Sequence, residues 1–96
     1  MLNKPTAIEL FCGAGGLSIG LKKAGFEIIL ANEIENDFAK TFEINHSNSK
    51  LICDDIHNID FKAELSELNI KRVDLLSSST LKMLGIISAY LGKGQG

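Results

Sequence analysis

ELFCGAGGLSIG, residues Glu9–Gly20, sets a cluster of glycines between an apolar run and an amphipathic segment. Upstream, AIELF (Ala7–Phe11) has the composition of a buried strand. Downstream, Leu17, Leu21 and Ala24 recur at helical spacing, Lys22 and Lys23 face the other way, and Gly25 offers a stop. A strand, a glycine turn and a helix in that order begin a βαβ unit, and the rest of the chain continues the alternation.

FEIILAN (Phe26–Asn32) is a second strand, after which Asn36 can cap a helix that sets Phe38 and Phe42 on one face. The polar run Asn45–Lys50 is a loop, and LIC (Leu51–Cys53) is a short third strand followed by Asp54 and Asp55. Phe61–Leu68 has weak helical periodicity, and RVDLLS (Arg72–Ser77) is a fourth strand. The expected fold is α/β, with a short, mainly parallel, incomplete sheet and flanking helices. No repeat or low-complexity segment marks a second domain.

Composition narrows the function classes. At 96 residues the chain is one small domain with a marginal core, and a 45% hydrophobic share makes it globular. Ten basic residues against 12 acidic ones give a formal charge of −2, so no broad basic surface draws in nucleic acid by counterion release. Cys12 and Cys53 lie far apart with no metal-ligand spacing around either, so a zinc site is not expected, and two such thiols suit a reducing cytoplasm. The start MLNKPTAIEL has no long apolar core, and no run approaches bilayer length. A cytoplasmic chain without a membrane partner is expected.

The chemistry is expected at the carboxyl ends of the strands, where the ligand crevice of an open parallel sheet forms. The glycine turn follows the first strand, Glu33 the second, and Asp54 and Asp55 the third. Glycines let a ligand approach the backbone and let the first helix present N–H groups to an anion. Glu33 comes roughly 20 residues after the turn, the offset of a ribose-binding acid, and one carboxylate can accept from both hydroxyls of a diol. An aspartate on the third loop can accept from an adenine amine. Each acid alone fits a solvated carboxylate at a strand end, and the glycine turn lacks the last glycine of the dinucleotide fingerprint, Ser18 standing in its place. Their coincidence points to an adenosine pocket.

ELFCGAGGLSIGLKKAGFEIILANEIENDFAKTFEINH followed by CDDI resembles the amino-terminal part of the cytosine-C5 DNA methyltransferases, from about Ile8 to Leu76. Its most specific elements are Phe11, Gly13, Gly15, Gly16 and Leu17, the Asn32-Glu33 pair, and Asp55-Ile56. The resemblance implies S-adenosylmethionine on a Rossmann-like sheet: Phe11 against the adenine, Cys12, Gly13, Ala14, Gly15 and Gly16 at the methionine moiety, Glu33 on the ribose and Asp55 on the adenine amine. Leu17 and Ile56 accompany these motifs. Ile34 would cover the ring where many relatives carry Trp.

In that family a cysteine thiolate adds to cytosine C6 in DNA, the base being flipped from the duplex. The thiol follows the fourth strand in a loop of Gly-Pro-Pro-Cys-Gln type. Here the continuation is SSSTLKMLGIISAYLGKGQG, and the nucleophile position falls on Lys82, which cannot replace a thiolate. Neither Cys12 nor Cys53 is expected over a target base; both are expected to be small buried side chains, and His46 and His57 are assigned no role. Residues 1–77 are therefore expected to form a cofactor-binding part that does not transfer methyl alone, with weak or no hold on DNA. Residues 78–96 form a divergent tail. Leu81, Leu84 and Leu91 could give that tail a helical face, with Ser79 or Thr80 to cap it; the preferred account is a disrupted reading frame or an internal deletion after Leu76. Two other classes stay open: a dinucleotide-binding fragment of an oxidoreductase, and an interaction module docking on a second copy or on a separately encoded remainder of the enzyme.

Overall fold

A computed structural model describes residues 4–78. Strand β1 (Thr6–Leu10) leads through the glycine turn into helix α1 (Gly16–Lys23), then β2 (Glu27–Asn32), α2 (Asn36–Asn45) and β3 (Lys50–Ile52). A single 3-10 turn (Ile56–Asn58), helix α3 (Phe61–Glu67) and β4 (Leu75–Ser78) follow. The four strands form one sheet in the order β3-β2-β1-β4, and every pairing is parallel. This is a Rossmann-like α/β arrangement, as the alternation of apolar runs and helical spacing implies.

Burial explains why the first two strands are nearly continuous in apolar residues. Covered on both faces, a central parallel strand has no solvent side to mark with polar residues. One apolar layer gathers Ile8, Leu10, Ile29, Leu30 and Ile56, with Phe61, Leu65 and Leu68 of the α3 region packed against it. The other gathers Ala7, Cys12, Ile28, Ala31 and Phe42, with Leu21 of α1 at its margin. The register of β1 on β2 shifts between Ala7 and Ile8, while β1 and β4 run in step from Ala7↔Leu75 to Leu10↔Ser78.

Several local expectations are corrected. Helix α1 turns Ser18, not Leu17, onto the sheet: Ser18 is fully buried and Leu17 is 44% exposed. The cause is Glu9, a carboxylate buried within β1, whose Oε2 accepts a hydrogen bond from the Ser18 hydroxyl. A buried acid needs a polar partner above it, so Leu17 and Ile19 turn outward while Leu21 still packs on the apolar layer. On α2 the cap is Glu35, Asn36 is already helical, and Phe42 is buried while Phe38 is 51% exposed. Strand β3 ends at Ile52, which leaves Cys53 outside it. Strand β4 starts at Leu75 because Arg72 and Asp74 are engaged with Thr6: its hydroxyl donates to the Arg72 carbonyl at 2.8 Å and its N–H to Asp74 Oδ2 at 2.8 Å. The tail helix expected after Ser78, and Lys82 with it, lie outside the described residues. Among the described residues no helix is long and apolar enough to cross a membrane.

Candidate cofactor site

The parallel order of the strands puts the ends of β1, β2 and β3 on one rim, and the side chain of Asn32 ties them together. It is 1% exposed; its Oδ1 accepts from the Phe11 N–H at 2.9 Å and its Nδ2 donates to the Asp54 carbonyl at 3.0 Å. The Asn32 carbonyl takes the Cys12 N–H at 2.9 Å, and the Glu33 N–H donates to the Ile52 carbonyl at 3.2 Å. One carboxamide thus joins the loops after β1 and β3 through the end of β2.

The glycine turn is built on left-handed backbone. Phe11 (φ 54°), Gly13 (φ 58°) and Gly15 (φ 99°) all have positive φ, which glycine adopts freely and phenylalanine at a cost of order 1 kcal/mol. The strain at Phe11 turns the chain sharply out of β1 while its ring still packs beside Ile8 and Leu10. The turn closes with the Gly15 N–H on the Cys12 carbonyl at 3.1 Å. Helix α1 then starts at Gly16 with Gly15 as its cap, so no side chain neutralises the positive end of the helix dipole. A Cβ on Gly13 or Gly16 would meet nothing within 4 Å, so the turn borders open space at both positions.

Glu33 stands beside this turn, 7% exposed, and is no freely solvated carboxylate. Its Oε1 accepts from the Gly13 N–H and its Oε2 from the Glu35 N–H, both at 2.8 Å. Each oxygen keeps lone-pair capacity for a further donor, which is what a vicinal diol supplies. Ile34, 56% exposed, follows at the mouth, and its carbonyl lies 3.9 Å from the Cys53 sulphur. On the third loop Asp55 Oδ1 accepts from the His57 N–H at 2.9 Å and pairs with His57 Nδ1 at 2.7 Å; these contacts hold its carboxyl below the usual range. Asp54 Oδ1 accepts from the Asp55 N–H at 2.7 Å and from Asn58 Nδ2 at 3.0 Å. Ala14 and Leu17 are exposed beside the turn, whereas Ile56 is buried among Ile8 and Leu10, where it anchors the third loop.

The two cysteines differ. Cys12 is buried, and desolvation, then the nearby Glu9 and Glu33 carboxylates, push its thiol up to about 12, so it is no nucleophile at neutral pH. Cys53 is exposed, against the expectation of burial, because β3 stops one residue earlier. Among the described residues no group of His, Cys, Asp and Glu could hold a metal ion.

Sequence reasoning gave no role to Asn32 beyond its place in a motif, and none to Glu9, Ser18 or His46. A charged residue inside an apolar run signals Glu9, and a polar residue closing one signals Asn32. His46 carries no such signal: placed by sequence in a polar loop, it is 2% exposed, packed on Phe42 with ring centroids 4.4 Å apart. Its Nε2 lies 3.2 Å from the Gly15 carbonyl.

The parallel sheet order and the strand, glycine turn and helix that open the chain are those of a Rossmann-like methyltransferase fold. A family model for C-5 cytosine-specific DNA methylases matches residues 6–80, and the chain belongs to that family. It is 47% identical over 70 residues to the Type II methyltransferase M.PspPI of Psychrobacter sp. (strain TA137), covering 73% of this chain and 16% of that one. It is 52% identical over 52 residues to the Type II methyltransferase M.FnuDI of Fusobacterium nucleatum, covering 54% and 15%. A solved structure described as a DNA modification methyltransferase encoded within an E. coli prophage superposes with a TM-score of 0.70 at 28% identity, over 77% of this chain and 22% of that one. An S-adenosylmethionine-dependent methyltransferase of Clostridium acetobutylicum shares the fold, with a TM-score of 0.56 at 23% identity over 80% of this chain and 29% of that one. The chain therefore spans about a sixth of the length of these Type II relatives.

Proposed function

We propose that this chain binds S-adenosylmethionine at the rim formed by the ends of β1, β2 and β3. In the whole protein, that cofactor serves methylation of cytosine C5 in DNA within a restriction and modification system. The observation that carries the reading is the Glu33 carboxylate, fixed by the Gly13 and Glu35 N–H groups beside a glycine turn that opens onto free space.

When bound, the cofactor supplies an electrophilic sulphonium methyl. The chain's own residues bind and orient it. The uncapped start of α1 and the turn from Cys12 to Gly16 face its carboxylate, Glu33 takes the ribose hydroxyls, Asp55 takes the adenine amine, and Phe11 and Ile34 flank the ring. None of these groups performs the addition to cytosine. Cys12 is buried and protonated, and the nucleophile position of the family falls on Lys82. On this reading the chain alone carries cofactor binding without methyl transfer, and any hold on DNA belongs to the whole protein.

Calorimetric titration of S-adenosylmethionine into the 96-residue chain tests this, with Glu33→Gln alongside, NAD as competitor and circular dichroism to verify folding. Saturable binding, weakened at least tenfold in Glu33→Gln and insensitive to NAD, is expected. A folded chain that prefers NAD or binds neither refutes the cofactor reading. Formation of 5-methylcytosine in DNA by the chain alone refutes the absence of transfer.

A further inference from the structure

His46 closes α2, yet its ring reaches the glycine turn 31 residues earlier in sequence. The Gly15 carbonyl accepts two hydrogen bonds, from the Ile19 N–H of α1 at 3.1 Å and from His46 Nε2 at 3.2 Å. A carbonyl only accepts, so Nε2 carries the proton. The other ring nitrogen, Nδ1, is buried with no partner. Burial, then the Lys22 charge on α1, disfavour protonation of the ring, so Nδ1 is a bare acceptor enclosed by protein.

A buried unpartnered nitrogen is a standing cost, and an apolar ring stacked on Phe42 would avoid it. What imidazole adds is the bond to the Gly15 carbonyl. The ring also occupies the space of any side chain at position 15: a Cβ there would lie 2.6 Å from His46 Nε2 and 2.9 Å from Phe42. Glycine at 15 and histidine at 46 thus form one contact, in which the ring takes the room that the missing side chain leaves.

We infer that His46, as the neutral Nε2–H tautomer, is a positioning residue for the cofactor turn, holding the Gly15 carbonyl so that α1 begins at Gly16 with its N–H groups toward the ligand. The inference rests on the cofactor reading for its consequence and on the ligand-free geometry for its substance. His46 touches no cofactor atom; it acts through Gly15.

The full chain is prepared as wild type, His46→Gln, whose amide can donate from nearly the same place, and His46→Phe, which keeps the packing and removes the donor. In ligand-free wild type, long-range nitrogen–proton spectra at pH 7 are expected to show the neutral Nε2–H tautomer. His46→Phe is expected to shift the Gly13, Gly15 and Gly16 amides and to weaken S-adenosylmethionine binding about tenfold, with circular dichroism retained. His46→Gln should restore affinity to within threefold of wild type. The opposite tautomer, a charged ring, unchanged glycine amides in His46→Phe, or a Gln variant as weak as Phe would each overturn the inference. If wild type binds no S-adenosylmethionine, the cofactor reading falls, and the tautomer and glycine amides still decide whether His46 sets the turn.

Discussion

Replacing Glu9 by Gln should make the chain more stable, by an amount that grows with pH. Glu9 lies fully buried in β1; Ser18 donates to its Oε2, and its Oε1 has no partner. Desolvation pushes its carboxyl up from 4.5 to about 7. The folded chain therefore holds this proton more tightly than the unfolded chain. The associated stability is fully present below pH 4.5 and is lost as pH rises through about 7. At about 1.4 kcal/mol for each tenfold change in proton affinity, the whole loss is roughly 3.4 kcal/mol, of which about 2.5 falls between pH 5 and pH 8. Against a total stability of about 5–15 kcal/mol for a domain, that is a large share. His46 works in the opposite sense, since its lowered proton affinity makes stability rise with pH near 6.5, and it is common to both proteins and cancels in their difference. Urea unfolding followed by circular dichroism at pH 5 and pH 8 gives that difference directly. The advantage of Glu9→Gln should widen by about 2.5 kcal/mol across the interval. A difference that stays constant to within about 0.5 kcal/mol would mean that Glu9 is solvated or paired when ionised, and the account of the buried carboxylate would fail.

Gly15→Ala should cost at least about 2 kcal/mol in urea unfolding, from its positive φ and its collision with His46 and Phe42. Gly20→Ala, on an open face of α1, should gain about 0.5–1 kcal/mol; equal effects at the two sites would contradict the geometry. Asn32→Ala leaves the Phe11 N–H and the Asp54 carbonyl without their partner and should cost about 2–4 kcal/mol by the same assay, a loss under about 0.5 kcal/mol counting against the bridge. Ile34→Trp should tighten S-adenosylmethionine about fivefold in calorimetry by adding an aromatic face at the mouth, and an unchanged affinity would place Ile34 away from the ring.

The elements easiest to find in the sequence were those governed by one dominant force. Ala7–Phe11 and Phe26–Asn32 are apolar because both faces of the central strands are covered, and β1 and β2 fall within a residue of those stretches. The glycine turn and Glu33 could be placed together from sequence because each directly follows a central parallel strand, and the structure joins them through the Gly13 N–H and Glu33 Oε1. What escaped notice depended on contacts between segments distant in sequence. Leu17 carried the helical spacing, yet Ser18 took the buried position because Glu9 lies beneath it, and nothing within α1 records that. His46 was hidden in a polar stretch because its partner, the Gly15 carbonyl, is a backbone group with no signature. Phe38 and Phe42 share a helix but not a fate: Phe42 reaches the layer of Ala7 and Ile28, while Phe38, one turn earlier, is 51% exposed.

The carboxamide of Asn32 has an evolutionary corollary. Because it fastens the loops after β1 and β3 to the end of β2, a substitution that displaces one of them is transmitted to the others. A change that moves the loop after β3 would therefore require matching changes in the glycine turn. Variation should be cheaper on the outer faces of α1 and α2, where Ile19, Phe38 and Ile44 stand clear of the network.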